Sequence, residues 1–151
     1  MPENALTVLE NDHRKVEGLF AQTKEDSPDL EQIGIKIAQE LLVHTEIEEK
    51  IFYPAVRERA ERERNKKEMM LVGHALDEHR LVKDMLLELS AARGKPASIR
   101  AVLWKLEKAV LLHVTEEEKI MFPDVRKLFG ELELQELGRQ MEEIKAHRPA
   151  A

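Results

Sequence analysis

Residues 44–54 (HTEIEEKIFYP) and residues 113–123 (HVTEEEKIMFP) repeat one another, with six of the eleven positions identical and two more similar. Each copy places a glutamate four residues after a histidine, and these residues are His44, Glu48, His113 and Glu117. Residues four apart lie on one face of a helix. Two such helices that face each other would bring two imidazoles and two carboxylates to one interior point.

The repeat extends to the segments that precede these two copies. Residues 12–20 (DHRKVEGLF) resemble residues 78–86 (EHRLVKDML), so each half of the chain has one further histidine, His13 or His79. Each half therefore reads as a helix with one histidine, a short break and a helix with His-x-x-x-Glu. Two such hairpins predict an all-α, up-down four-helix bundle with approximate two-fold symmetry. A solenoid would need at least three units.

Apolar residues recur at helical spacing in five segments, at about residues 4–24, 30–52, 68–92, 97–121 and 131–146. We expect the first four to form the bundle, at about residues 4–124. The fifth predicts an additional C-terminal helix, at about residues 131–147, that packs across the outside of the bundle or contacts a partner. The length of 151 residues fits a single domain, residues 1–151.

Several residues mark the boundaries of these segments. Gly94 suits the C-terminal end of the third helix, and Ser98 can start the fourth. Pro54 is expected to disturb the second helix, because a proline removes a backbone donor and clashes with the preceding turn. The charged residues 57–68 (RERAERERNKKE) then predict a solvated helix extension or a connector.

Composition and charge exclude several classes of protein and site. The net charge of −6 leaves no basic stripe uncompensated and argues against a nucleic-acid partner. No apolar run approaches the length of about 18 residues that indicates a membrane span. The lack of cysteine excludes disulfides, thiolate zinc sites and cysteine nucleophiles. The N-terminal residues lack the basic and apolar stretches of a secretory signal, so the expected location is cytoplasmic.

The repeated histidines and glutamates lie on the apolar stripes, where leucine or isoleucine would be buried. A buried, unpaired carboxylate costs several kcal/mol and tends to protonate, and a second carboxylate opposite it increases that cost. One or two dications remove the conflict, because imidazole nitrogens and carboxylate oxygens then become ligands. The residues predicted to bind metal are therefore His13, His44, Glu48, His79, His113 and Glu117.

A purely structural role is the alternative for each of these residues. A single histidine on an apolar stripe is more often a hydrogen-bonded core residue than a ligand. A single His-x-x-x-Glu is also common on the solvated face of a helix. The chain has two copies of His-x-x-x-Glu, and each copy continues an apolar stripe. Each copy also follows a helix with a further histidine on its own apolar stripe. This combination favours the metal site.

The internal symmetry suggests how many metals such a site holds. Two metals that each bind two histidines and share Glu48 and Glu117 as bridges would use all six side chains. Coordination positions would remain open for water or a small ligand, which is typical of reactive sites. Imidazole and carboxylate ligands without sulfur suit iron, manganese or zinc, and open positions favour non-haem iron. The expected cofactor is two carboxylate-bridged Fe ions, with Mn or Zn as alternatives.

These motifs resemble the hemerythrin-like family, specifically its HHE cation-binding domains. The family pattern His … His-x-x-x-Glu … His … His-x-x-x-Glu is matched by the six residues named above, and IEEKIFYP and EEEKIMFP are similar to its extended signature. The resemblance covers roughly residues 5–130. It implies a four-helix bundle with a non-haem di-iron centre that meets oxygen, peroxide or nitric oxide.

The chain departs from the oxygen-carrying hemerythrins, whose five-histidine site has His-x-x-x-His on the third helix and His-x-x-x-x-Asp on the fourth. Here Lys83 stands four residues after His79, and Glu118 stands five residues after His113. His74 lies five residues before His79, which is about 140° around a helix. The more symmetric and more carboxylate-rich set favours redox reaction with peroxide, or sensing, over reversible oxygen carriage.

Four residues close to the motifs have open roles. His74 is interpreted as a surface residue or a neighbour of the site, because the internal symmetry offers it no counterpart, with a fifth histidine ligand as the alternative. Glu49 and Glu118 are identical between the copies and are expected to face outward, with contact to the metals or to basic residues as the alternative. Tyr53 is expected to pack at the bundle end beside Phe52, with approach to the site as the alternative.

Three functions follow from these predictions. The first is a di-iron protein that reacts with oxygen, peroxide or nitric oxide, with catalase-like peroxide decomposition as its enzymatic form. The second is a non-catalytic sensor, carrier or store of O₂, NO or iron that uses the same site. The third is a metal-free helical interaction protein. The expected partners are small molecules rather than nucleic acid or membrane, and the sequence leaves the oligomeric state open.

Overall fold

The computed structural model describes residues 2–148, and all regular secondary structure in them is helical. The α-helices are α1 (Ala5–Gln22), α2 (Leu30–Ile47), α3 (Tyr53–Arg62), α4 (Lys66–Ala91), α5 (Pro96–Glu116), α6 (Phe122–Leu128) and α7 (Glu131–Ala146). The long helices α1, α2, α4 and α5 pack side by side in that cyclic order, which confirms the predicted all-α bundle. Within the described residues, no helix has the length and apolar character of a bilayer-spanning segment.

Two π-helical turns join the long helices to the short ones that follow them. The turn Glu48–Phe52 connects α2 to α3, and the turn Glu117–Met121 connects α5 to α6. The predicted disturbance at Pro54 is therefore a widened turn rather than a break, because the chain passes the proline and continues to Arg62. The charged segment is thus a helix extension as far as α3 reaches, and it buries Ala60 on its inner side.

The ends of the third and fourth predicted helices follow local backbone chemistry. Gly94 has φ of +78°, a left-handed conformation that glycine adopts without strain. It lies in the turn after α4, but the C-cap of the helix is Ala92, two residues before the predicted position. The prediction that Ser98 starts the next helix is wrong. Helix α5 begins at Pro96, whose fixed φ and missing N–H suit the first turn of a helix, and Lys95 precedes it.

Two apolar clusters fill the bundle, one on each side of a polar layer. The first cluster includes Leu9, and the second includes Val16. His13 lies between these two residues on α1. Helix α2 shows the same order, because Leu41 belongs to the second cluster, His44 follows it, and Ile47 belongs to the first. The polar residues of the repeat therefore occupy one layer in the middle of the bundle.

Helix α7 packs across the outside of the bundle, as one of the two predicted alternatives stated. It lies mainly against α1 and buries Leu134 and Met141 in the first apolar cluster. Gly138 allows the close approach, because a Cβ there would lie 2.1 Å from the backbone oxygen of Glu3. Helix α7 therefore covers the first half of the repeat.

Candidate metal centre

All six residues predicted to bind metal lie together in the polar layer. The four histidines come one each from α1, α2, α4 and α5, and the two glutamates are the first residues of the π-helical turns. All six are buried, with relative exposures of 6% or less, and they are His13, His44, Glu48, His79, His113 and Glu117. The packing thus brings together groups that are 104 positions apart in the sequence, from 13 to 117.

Each glutamate lies between imidazoles from both halves of the chain. The Oε1 atom of Glu48 is 3.2 Å from Nε2 of His44 and 3.0 Å from Nε2 of His79. Glu117 places Oε1 3.1 Å from Nε2 of His13 and Oε2 3.3 Å from Nε2 of His113. Each carboxylate therefore contacts one imidazole from each half of the chain.

The histidines form two similar pairs. The ring centroids of His13 and His44 are 5.0 Å apart at an interplanar angle of 64°, and those of His79 and His113 are 4.9 Å apart at 62°. Close agreement between the pairs shows that the internal repeat is preserved in the geometry of the site. The cluster thus consists of two equivalent half-sites joined by the carboxylates.

The outer nitrogen of every imidazole donates a hydrogen bond to another carboxylate, which leaves Nε2 to face the centre. These bonds join Nδ1 of His13 to Glu118 (2.6 Å), of His44 to Asp12 (2.9 Å), of His79 to Glu49 (2.8 Å) and of His113 to Glu78 (2.8 Å). Such contacts fix the tautomer and ring orientation of a metal-binding histidine and raise its basicity.

The prediction that Glu49 and Glu118 face outward is wrong. Each lies half-buried between a histidine of the opposite half and a basic side chain, which is Lys83 for Glu49 and Arg14 for Glu118. Burial tends to raise the pKa of both carboxyls, but the hydrogen bonds from the basic residue and the histidine outweigh it and lower the pKa. Both side chains are therefore stable acceptors for the imidazole N–H.

Asp12 and Glu78 were not predicted as members of the site. Each directly precedes the first histidine of its half, and each accepts from the second histidine of the same half. Both copies of the repeat have an acidic residue directly before the first histidine. This shared feature of the sequence could have indicated that Asp12 and Glu78 bind histidines of the site. The two differ in their outer contacts, since Asp12 pairs with Lys145 of α7 at 2.5 Å.

Tyr53 reaches the centre, which is the alternative rather than the expected position. Its hydroxyl donates a hydrogen bond to Glu117 and lies 3.3 Å from Nε2 of both His79 and His113. Burial, together with the negative charge of Glu117, raises the pKa of Tyr53 well above its usual value. The neutral phenol is thus held as a donor inside the cluster.

The repeat counterpart of Tyr53 lacks this polar contact. Phe122 stacks against His13 with ring centroids 6.2 Å apart and an interplanar angle of 11°. The expected packing of Tyr53 beside Phe52 is also present, with centroids 5.7 Å apart. The two half-sites therefore differ by one hydroxyl, which lies on the side of His79 and His113.

Opposite charges in the cluster shift the pKa values of two of its buried histidines and of Glu48. Burial lowers the pKa of His44, but the charges of Glu48 and Asp12 outweigh it and raise that pKa to about 10. The pKa of His113 is likewise raised well above its usual value, because Glu117 outweighs burial. Burial raises the pKa of Glu48, yet the charge of His44 holds it well below the usual range.

Four buried atoms at the centre have no hydrogen-bond partner, and they are Nε2 of His13, Nε2 of His44, Oε2 of Glu48 and Oε1 of Glu117. Buried polar atoms are normally paired, so a group of four at one point indicates a missing partner. Imidazole nitrogens and carboxylate oxygens are metal ligands, and the four donor groups lie within 4.8 Å of one another. The residues present therefore fit metal cations.

A small cavity adjoins the imidazoles on the side of the second apolar cluster. Its volume is about 20 Å³, and its walls beyond the histidines are mostly aliphatic. Val16 and Val82 are counterparts in the repeat, as are Leu41 and Val110, so the walls are also approximately symmetric. A cavity of this size holds about one water-sized molecule. It excludes organic molecules of ordinary size.

His74 lies outside the centre, as predicted. Its ring is 57% exposed, and it contacts Glu78 and Glu116 on the surface between α4 and α5. Glu78 in turn accepts the hydrogen bond from His113, so His74 is connected to the centre through one carboxylate. Its counterpart in the first half of the repeat is the buried Val8.

A known family accounts for the same residues. The family model for the hemerythrin HHE cation binding domain matches the chain twice, over residues 4–77 and over residues 70–147. Each match contains one full set of two histidines and one glutamate. Comparisons with curated proteins and with solved structures give no significant match. Because the two matches span nearly the whole of the described chain, the protein belongs to the hemerythrin HHE cation-binding domain family.

Proposed function

We propose that this protein holds two non-haem iron ions in the polar layer and uses them to react with O₂, peroxide or nitric oxide. His13 and His44 would bind one ion, and His79 and His113 would bind the other. Glu48 and Glu117 would bridge the two. The bound irons would supply redox chemistry and open coordination positions for the small ligand. We further propose that the whole chain is one domain and acts in the cytoplasm.

The observation that carries this proposal is the convergence of four Nε2 atoms on two buried carboxylates. Every imidazole is oriented by a carboxylate on its outer nitrogen, which is an arrangement that metal-binding histidines share. A hydrogen-bonded structural core would not leave four polar atoms without partners at its centre. The sequence has no cysteine, and the imidazole–carboxylate set favours non-haem iron, with manganese or zinc as alternatives.

The cavity supports a very small substrate. Its volume of about 20 Å³ and its aliphatic walls suit a molecule of two to four atoms. The four imidazoles form its polar side, so a ligand that enters would meet the metals there. Val16, Val82 and Val110 would exclude larger molecules and keep bulk water away from the reacting atoms.

The residues of this chain would act mainly by position and charge. The carboxylates of Asp12, Glu49, Glu78 and Glu118 would keep the four imidazoles in one tautomer. The Tyr53 hydroxyl is a neutral O–H donor that contacts Glu117, His79 and His113 in the centre. We propose that it donates to oxygen atoms of Glu117 or of a ligand near His79 and His113.

A non-catalytic sensor, carrier or store is the second candidate, and one observation favours it. Among the described residues that line the cavity, the only carboxylate is Asp12, which already binds His44 and Lys145. No separate general base therefore faces a ligand in the cavity. The same centre could bind O₂, NO or iron without turnover.

Peroxide turnover separates the two candidates. Hydrogen peroxide is added in large excess to iron-loaded protein, and released oxygen is followed with an electrode. Sustained oxygen release, with many oxygen molecules per protein, supports the catalase-like form. A single colour change without oxygen release supports binding alone.

Metal content tests the assignment that both candidates share. We expect Glu48→Ala and Glu117→Ala each to lower the iron content of reconstituted protein, because each removes a bridging carboxylate. Glu17→Ala should keep the wild-type iron content, since Glu17 pairs only with the exposed Arg14. Equal iron in all three variants would contradict the bridging roles. Wild-type protein that retains no iron, manganese or zinc would support the metal-free interaction protein instead.

A further inference from the structure

A second group of metal-binding side chains lies at the surface between α4 and α5. His74 and Glu78 are one turn apart on α4, and Glu116 is the last residue of α5. Nε2 of His74 is 3.4 Å from Oε2 of Glu78 and 3.2 Å from Oε2 of Glu116. One donor atom from each side chain lies within 4.8 Å of the other two. Three donors therefore converge where solvent cations have access.

One oxygen of this group is shielded from solvent, although its side chain is 27% exposed and Nε2 of His74 lies close to it. Oε2 of Glu116 is out of contact with solvent and accepts no hydrogen bond. Both carboxylates, those of Glu78 and Glu116, have an oxygen within 3.4 Å of Nε2 of His74. A cation between His74, Glu78 and Glu116 would be a ligand partner for all three side chains.

The internal repeat shows that this group is an addition to the buried centre. The residues equivalent to His74 and Glu116 in the first half are Val8 and Ile47, which are buried in the first apolar cluster. Helix α7 covers α1 on that half. On the other half the same positions carry an imidazole and a carboxylate that point at each other. The family pattern requires neither residue, since its motif is complete without them.

We propose that His74, Glu78 and Glu116 form a surface site for a first-row divalent cation, separate from the buried centre. One imidazole and two carboxylates, with the remaining positions filled by water, suit Zn²⁺, Mn²⁺ or Fe²⁺. Glu78 takes part in both the surface site and the buried centre, because its other carboxylate oxygen accepts a hydrogen bond from Nδ1 of His113. A cation at the surface would therefore share a carboxylate with a histidine of the centre. This link rests on the proposed function, whereas the surface site itself does not.

Zinc binding tests the site with matched variants. Each protein is dialysed to equilibrium against a series of Zn²⁺ concentrations, and bound zinc is measured by elemental analysis. The variants are His74→Ala, Glu116→Gln, the double variant Glu48→Gln/Glu117→Gln and the control His147→Ala, which removes an exposed histidine at the end of α7. Circular dichroism checks that each variant is folded, and the exposure of His74 favours an unchanged fold.

We expect wild-type protein to bind one zinc more than His74→Ala, and Glu116→Gln to bind that zinc at least about tenfold more weakly. His147→Ala should match the wild type. The double variant should lose zinc from the buried centre and keep the surface equivalent. Equal zinc binding by the wild type and His74→Ala at every concentration would overturn the surface site, whatever the buried centre binds. Loss of zinc in the double variant alone would likewise assign all zinc to the buried centre.

Discussion

Each histidine of the centre makes contacts through both of its ring nitrogens. These paired contacts explain why so many ionisable groups can be buried together. An imidazole that donates from Nδ1 to a carboxylate leaves Nε2 as a lone-pair ligand facing inward. The outer carboxylates in turn bind basic residues, as Glu49 binds Lys83 and Glu118 binds Arg14. Hydrogen bonds and ion pairs thus lead from the buried imidazoles through the outer carboxylates to basic side chains at the surface.

The carboxylates that accept hydrogen bonds from Nδ1 of the histidines should affect how tightly metal binds. They should not affect how many metal ions each chain binds. We expect Glu49→Gln and Glu118→Gln each to weaken iron binding by about 10–100-fold, because the amide no longer holds the imidazole as firmly or raises its basicity. Competition with a chelator measures the affinity, and elemental analysis measures the number. Glu17→Gln, a change at a partly exposed position on the same helix as His13, is the matched control. An affinity equal to that of this control would show that the outer contacts are dispensable.

The six central residues could be predicted from one criterion. Each is a polar residue on the apolar stripe of a helix, and each has a counterpart at the same place in the other copy of the repeat. The roles of Glu49 and Glu118 could not be predicted from that criterion. They lie one position beyond the stripe, and their contacts cross between the two halves of the chain. Which helix faces which is a property of the packing rather than of any local spacing.

At the scale of helices, the π-helical turns decide which side chains reach the centre. Glu48 and Tyr53 are five residues apart, and a regular α-helix would place them about 140° apart. The N–H of Tyr53 instead donates to the carbonyl oxygen of Glu48, five residues earlier. This wider turn brings both side chains to the buried face. The prediction that Tyr53 packs at the end of the bundle did not include this wider turn.

Helix α7 docks on α1 through a contact that a single methyl group should disrupt. Alanine normally stabilises a helix interior relative to glycine by up to about 1 kcal/mol. A Cβ at Gly138 would lie 2.1 Å from the backbone oxygen of Glu3, so we expect Gly138→Ala to destabilise the protein by about 1–3 kcal/mol. Gly18→Ala, where nothing lies within 4 Å, should be neutral or stabilising. Urea unfolding measures both, and stabilisation by both substitutions would contradict the tight docking of α7.

In the whole molecule, one polar layer separates two apolar clusters, and the repeat determines the position of that layer. The sequence predicted this architecture because both halves carry the same pattern. It did not predict which half α7 would cover, since the apolar stripe of α7 could pack on either. The structure places α7 over the first half, and Val8 and Ile47 are buried there while His74 remains exposed. The asymmetry of the protein therefore arises mainly from its last helix.

A second buried carboxyl lies outside the centre and should make the stability of the whole fold depend on pH. Glu68 is fully buried at the start of α4, and neither of its oxygens has a hydrogen-bond partner. Burial, and then the charge of Asp124 on α6, raise the pKa of Glu68 from 4.5 to about 8. Between these two pH values the folded protein retains a proton that the unfolded chain has released. This contribution to stability is complete below pH 4.5 and is lost as pH rises through 8.

Replacing Glu68 by glutamine should remove this dependence. We expect the free energy of unfolding of the wild type, relative to Glu68→Gln, to fall by about 3–5 kcal/mol between pH 4.5 and 8. Asp124→Asn should reduce the fall without abolishing it, because burial of Glu68 remains while the neighbouring charge is gone. Urea unfolding of metal-free protein at several pH values in this range gives the three curves. Parallel curves for the wild type and Glu68→Gln would mean that Glu68 is ionised in the folded protein at neutral pH, with Lys67 compensating its charge through Asp124.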